Sequence, residues 1–324
     1  MKKLLGLLIL TIISCNEIEP VPNAEVKPQR NSTETITETS LIILGTIQDA
    51  GSPHIACKKD CCKHLFQNPD NSRKVVSLGL IDPVSKKTFI IEASPDLPQQ
   101  MKNLKLHATF AEKETPDGIL LTHAHIGHYT GLMYLGKEAM NADSVTVYAM
   151  PRMKTFLEQN GPWSQLVNTG NISLIEISDG EETRLSEQLS VTPFKVPHRD
   201  EYSETVGYRF AGPNKTALFI PDIDKWEKWD TEIIAAIARV DYAFIDGTFY
   251  DAEEINNRDI SQIPHPFVSE SMELFKNLDS KEKAKIHFIH FNHTNPIINP
   301  ESEQYKEVLK NGFKVARMND VIKL

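Results

Sequence analysis

The residues most able to do chemistry lie in "GILLTHAHIGHYTGL", residues 118–132. His123, His125 and His128 follow an apolar run with the spacing H-x-H-x-G-H. The chain holds 11 histidines in 324 residues, so three at this spacing mark a ligand set rather than scatter. Imidazole is the common protein ligand for zinc and also suits iron. His123 and His125 are two apart, so an extended chain points them the same way. Three more metal-compatible side chains close apolar runs further on: His198 after "VTPFKVP", Asp222 after "TALFIP", and His290 at the end of "AKIHFI". Singly each is weak, because an aspartate after a strand is usually a turn residue or a helix cap. Together they describe strand ends that one sheet edge can bring to a single point.

The surrounding pattern supplies such an edge. Apolar, β-branched runs at 41–47, 75–81, 88–93, 118–122, 144–149, 189–196, 205–211, 216–222, 242–247 and 285–291 predict strands, many bounded by Gly, Pro, Asn or Asp. Helical stretches are expected at 95–110, 127–140, 231–240, 268–278 and 301–312. The last runs into Asn311-Gly312, a stop signal. Interleaved strands and helices exclude an all-α fold. They fit an α/β chain of two mixed sheets packed face to face with helices outside.

Hydrophobic residues make up 40% of the chain, enough for a sizeable core, and the net charge of −9 argues against a mainly electrostatic nucleic-acid binder. The expected partner is a small-molecule substrate. The N-terminus, "MKKLLGLLILTIISCNE", has a basic start and an apolar stretch too short to span a bilayer. Its "IISC" resembles the lipobox of bacterial lipoproteins. That resemblance implies a signal peptide over 1–14, cleavage before Cys15, and lipid on Cys15 as a membrane anchor. An ordinary cleaved signal peptide is the alternative. Residues 15–40 are polar and Pro-rich and read as a flexible tether, which leaves 41–324 as the folded body. The location expected is therefore exported and anchored to a bacterial membrane.

The order H-x-H-x-x-H, then His, Asp and His, resembles the metallo-β-lactamase superfamily over 41–324. The strings "LGTIQDAGSPHIACKKDCC", "EASPDL", "LTHAHIGHYTGL", "DGTFY" and "HFNHTNP" resemble most the coenzyme PQQ biosynthesis protein B family and the phosphodiesterases of phosphonate metabolism. The resemblance implies an αβ/βα sandwich with metals at one edge. His123, His125 and His198 would bind one metal, His128 and His290 a second, and Asp222 would bridge them. The implied activity is zinc-dependent hydrolysis of an ester or phosphodiester by activated water. Iron-dependent oxidation, or metal binding without turnover, are the alternatives. The superfamily motif is H-x-H-x-D-H, and this chain has Gly127 where that aspartate stands. The second site is then expected to be short of a carboxylate, and Gly127→Asp to raise its occupancy.

Cys57, Cys61 and Cys62 are the only cysteines besides Cys15. By themselves they leave open a metal site, or one disulfide with a free thiol. The resemblance implies a structural zinc, with His265 as the fourth ligand and His64 as a competitor. Asp222 and His293 are the expected catalytic groups, His293 as general acid or base, with a supporting or surface role as its alternative. Asp246 is expected to orient a metal-bound histidine. Asp49 and Asp96 are placed near the metal edge, Asp96 more readily as a helix N-terminal residue. Trp226 and Trp229 read as packing residues or as the border of the substrate mouth.

Overall fold

The computed structural model describes residues 35–255 and 263–324. The expected signal peptide, Cys15 and most of the tether lie outside the described residues. Packed chain begins ahead of residue 41: Ile36 is buried, and its N–H donates to the His107 carbonyl.

Strand β1 (Ser40–Gly45) shows how the layers form. Leu41 and Ile43 face one apolar cluster while Ile42 and Leu44 face another. Strands β2 (Ser77–Asp82), β3 (Lys87–Ile91) and β4 (Gly118–Leu120) are buried on both faces in the same way. Two-sided burial is why these segments read as continuous apolar runs rather than alternating ones. With β5 (Val145–Ala149), β6 (Ile172–Glu176) and β14 (Val321–Lys323) they form a seven-stranded sheet ordered β14-β1-β2-β3-β4-β5-β6.

The second sheet also has seven strands. They are β7 (Thr183–Arg184), β8 (Ser190–Lys195), β9 (Val206–Ala211), β10 (Thr216–Ile220), β11 (Tyr242–Asp246), β12 (Ile286–Ile289) and β13 (Lys314–Val315), in the order β13-β12-β11-β10-β9-β8-β7. Each sheet is half antiparallel and half parallel. The parallel pairings run from β3 to β6 and from β10 to β13.

Parallel neighbours need crossovers, and helices supply them. These are α1 (Leu97–His107), α2 (Ile126–Tyr129), α3 (Pro151–Gln159), α4 (Trp163–Asn168), α5 (Ile233–Ala238), α6 (Val268–Leu274), α7 (Ser280–Lys283) and α8 (Glu303–Lys310). Leu80, Phe89, Ile91 and Leu120 of the first sheet meet Tyr208, Phe210, Phe219 and Phe244 of the second in the central core. Helices α1 to α4 cover the outer face of the first sheet, and α5, α6 and α8 that of the second. The fold is the expected two-sheet α/β sandwich with outer helices.

The topology creates one functional edge. Parallel strands place all their carboxyl ends on one side, where ligands of open α/β sheets bind. His123 and His125 follow β4, Asp222 follows β10, Asp246 ends β11, and His290 follows β12. The expected helix over 127–140 is shorter than its apolar spacing suggests: α2 passes into a tight 3-10 stretch over Thr130–Leu135. Gly131 explains this locally, because its N–H donates to the Ala93 carbonyl and pins the segment to the strand end below. Among the described residues no helix is long and apolar enough to cross a membrane.

The central core sets stability. Phe219 is fully buried between the sheets, so Phe219→Ala is expected to cost about 3–5 kcal/mol. Urea unfolding with an unchanged midpoint would contradict that placement.

Candidate metal centre

Three groups of metal-compatible side chains lie along the functional edge. The first holds His123, His125 and His198. His123 Nε2 and His125 Nδ1 stand 2.9 Å apart. His198 closes the group, its ring centred 5.0 Å from that of His125 and 5.5 Å from that of His123. Burial holds all three imidazoles below the usual histidine range. They are therefore neutral and have a lone pair to give, which a metal requires.

The second group holds Asp49, His128, Asp222 and His290. His128 Nε2 lies 2.9 Å from Asp222 Oδ2 and 3.0 Å from Asp49 Oδ1. His290 Nε2 lies 3.2 Å from each of the same two oxygens. Four ligand atoms at about 2.0–2.2 Å from a tetrahedral zinc would stand roughly 3.3–3.5 Å apart. The observed square of contacts is close to that size. His290 reaches this point from a left-handed backbone with φ of 66°, a conformation that costs a side-chain-bearing residue about 1–3 kcal/mol. That strain turns the chain at the end of β12 and directs the ring into the edge.

Asp222 joins the two groups. Its carboxylate lies 3.7 Å from both His123 Nε2 and His198 Nε2. Its Oδ2 is buried and faces the ring nitrogens of His128 and His290. Burial opposes the charge, yet His290, His128 and His198 hold the acid well below the usual carboxylate range. An ionised, buried carboxylate ringed by imidazole nitrogens fits a cation-binding site, since buried charge is otherwise costly. The donor set of imidazoles and carboxylates suits zinc and iron alike.

His128 sits among three carboxylates. Besides Asp49 and Asp222, fully buried Glu92 places Oε2 3.5 Å from His128 Nδ1. Burial works against a charged imidazole, but Asp49 and Glu92 outweigh it and raise His128 well above its ordinary value. The pocket thus demands positive charge, which a bound proton or a metal can provide. Glu92 also has a left-handed backbone, with φ of 72°. It belongs to the "EASPDL" string, but periodicity alone reads it only as the end of a strand.

Two expected histidines stand in each other's places. His265 does not join the cysteines. Its Nδ1 lies 2.8 Å from Asp246 Oδ2 and 3.6 Å from Asp222 Oδ1, so it belongs to the metal edge. His293 is the histidine grouped with Cys57, Cys61 and Cys62. The reason is the turn after His290: the Asn292 N–H donates to the Thr248 carbonyl, and the chain swings away from the edge. His293 then stacks on His54 of the cysteine loop, with ring centroids 4.5 Å apart. Burial, His54 and Lys59 lower it to about 4, and its Nδ1 is buried without a hydrogen-bond partner. His64 is exposed and outside the group. The three thiols are free, with Cys57 Sγ and Cys61 Sγ 3.7 Å apart.

The remaining candidates separate cleanly. Asp246 accepts from the N–H groups of Ile223 and Thr248 and holds His265. Asp96 accepts from the Val75 N–H at the start of α1, a structural task. Trp226 is buried and donates to Ser271, while Trp229 stacks on Phe194. Gly127 lies in α2, where an added Cβ would come within 2.5–2.7 Å of Cα, Cβ and Cγ of Asp49. The position is therefore not an open socket: a side chain there requires Asp49 to shift.

Glu254 is a half-buried acid that the sequence reading passes over. It ties down the "HFNHTNP" segment by accepting hydrogen bonds from Thr294 and Asn292, and it takes another from the Tyr250 N–H. Burial raises its carboxyl from 4.5 to about 7, against the pull of those donors. The folded chain then holds this proton more tightly than the unfolded chain. The resulting stabilisation is complete below pH 4.5 and fades as pH rises through about 7. Glu254→Gln should lose less stability than wild type over that interval, measured by urea unfolding at stepped pH. Parallel curves would contradict it.

Known proteins share this architecture. Coenzyme PQQ synthesis protein B of Gluconobacter oxydans is 28% identical over 295 residues, covering 85% of this chain and 95% of that protein. The crystal structure of zinc-bound PqqB from Methylobacterium extorquens matches with a TM-score of 0.72 at 22% identity, over 88% of this chain and all of that one. A diphosphatase of the PhnP family matches with a TM-score of 0.60 at 20% identity, over 88% of this chain and 96% of that one. The family model for the beta-lactamase superfamily domain covers residues 87–288, from β3 to β12. The chain belongs to the metallo-β-lactamase superfamily.

Proposed function

We propose that the protein is a metal-dependent hydrolase of small-molecule esters or phosphodiesters, using the two adjoining groups joined by Asp222. The observation that carries this reading is the buried Asp222 carboxylate, with histidines of both groups around it. When bound, a metal pair acidifies a water and stabilises charge that develops on the attacked oxygen. The residues around it have distinct tasks. His123, His125 and His198 are neutral donors. Asp222 holds the two sites at a fixed separation. Glu92 orients His128 through Nδ1, as carboxylates commonly do for ligating histidines.

His265 supplies the proton. Burial works against its charge, but Asp246 outweighs burial and raises it to about 9. With Nδ1 committed to Asp246, the imidazolium leaves its Nε2 proton for the departing oxygen. Its side chain keeps 12% of its exposure, as His125 keeps 17%, while His128 and His290 are sealed. Substrate therefore approaches from the His125 and His265 side. His265 takes the acid-base role expected of His293, and the cysteine group with His293 suits a structural zinc. The oxidative alternative leaned on a second site with only one carboxylate, and the presence of Asp49 there weakens it. The basic and apolar N-terminus supports an exported protein held at a membrane through a lipidated Cys15.

Chelator-stripped protein should lose hydrolysis of bis(p-nitrophenyl) phosphate and regain it with zinc. His265→Gln should lower kcat about 10²–10⁴-fold toward esters with poor leaving groups. Turnover that survives metal removal would sink the hydrolase reading. Oxygen consumption with iron alone would favour the oxidative one.

A further inference from the structure

We propose that Asp49 is a ligand of the second metal. It would supply, from the loop after β1, the carboxylate that the histidine motif lacks at position 127. This rests on the metal-site reading above and goes beyond it, because it states which chain segment completes the site and why the motif could change.

Two independent observations meet at Asp49. The first is ligand geometry: one oxygen, Oδ1, stands 3.0 Å from His128 Nε2 and 3.2 Å from His290 Nε2, opposite Asp222 across the same two imidazoles. The second is steric. An added Cβ at Gly127 would fall 2.5 Å from Asp49 Cα, 2.6 Å from its Cβ and 2.7 Å from its Cγ. Asp49 thus runs through the space that the root of a side chain at 127 would need. A side chain at 127 and Asp49 in its present position exclude each other. Gly127 is the vacancy that admits Asp49, and Asp49 restores the charge that Gly127 removes.

The loop is built to hold that position. The Gln48 N–H donates to the Phe291 carbonyl at 2.8 Å, and the Gly51 N–H closes a turn onto the Gln48 carbonyl at 2.9 Å. Ile47 bridges to both Val75 and Phe291. Asp49 is thereby fixed against the residue next to His290, its partner in the group.

The test uses the full chain, stripped with a chelator and reloaded with zinc chloride. Zinc equivalents are counted by elemental analysis, and the affinity of each is read by competition with a chromophoric chelator. Asp49→Asn keeps the shape and hydrogen-bonding reach of the side chain and removes its charge. It should hold one zinc equivalent fewer than wild type, or bind that equivalent more weakly than the roughly 10–100-fold that loss of a merely supporting partner costs. The other equivalents should be unchanged. Gly127→Ala should show the same selective loss, because its methyl displaces Asp49, and Gly127→Asp should not gain metal. Asp49→Asn with the full complement at wild-type affinity would overturn the proposal and leave the wider metal reading standing. A gain of metal in Gly127→Asp would overturn it as well. Wild-type protein with a single zinc at the edge would also refute it, and wild-type protein with none would refute both readings. Should the Gly127 variants fail to fold, Asp49→Asn decides alone.

Discussion

A carboxylate buried away from water must be paired, and the ionised Asp222 leaves its surroundings short of positive charge. The local architecture is arranged around that deficit. Strand β10 ends at the functional edge so that Asp222 projects between two sets of imidazoles, one neutral and one facing further carboxylates. Histidines that are ordinarily alike are driven apart by their surroundings. Burial, joined by the neighbouring His128, keeps His123 uncharged, whereas Asp49 and Glu92 reverse the same penalty at His128. A metal site needs both properties, free lone pairs and a net demand for positive charge, and this edge divides them between neighbours.

Much of this is legible in the sequence, for a physical reason. Parallel strands buried on both faces produce unbroken apolar runs, and their carboxyl ends are where polar side chains can gather. His123, His125, Asp222 and His290 each come after such a run, and His198 after the antiparallel β8, so strand position and chemistry reinforce one another. The segments flanking β12 are less legible. His265 and His293 are both histidines near the C-terminal strands, and only the turn made by Asn292 onto Thr248 decides which one faces the metals and which one the cysteines. Short edge strands such as β7 and β13, and the helix pair α3 and α4, carry too little periodicity to be read in advance. Gly127 is informative but ambiguous: a missing carboxylate looks like loss until the loop bearing Asp49 is seen filling its volume.

The two metal-compatible clusters also share supports. The loop after β1 contributes Asp49 to the edge and Cys57, Cys61 and Cys62 to the cysteine group. The segment after β12 contributes His290 to the edge and His293 to the cysteine group. His54 stacked on His293, and Gln48 bonded to Phe291, lace these two segments together between the clusters. A structural metal at the cysteines would therefore brace the same pair of segments that position the second edge site. This gives the cysteine loop a purpose beyond stapling a surface excursion, with His293 held there rather than at the functional edge.

On the proposed function, Asp222 stands between two metals. Anomalous diffraction at the zinc absorption edge, from crystals of the zinc-loaded protein, tests it most directly. Two peaks are expected at the functional edge, about 3.5–4 Å apart, one among His123, His125 and His198 and the other among Asp49, His128 and His290, with Asp222 reaching both. A single peak at that edge, or zinc confined to the cysteine group, would contradict it.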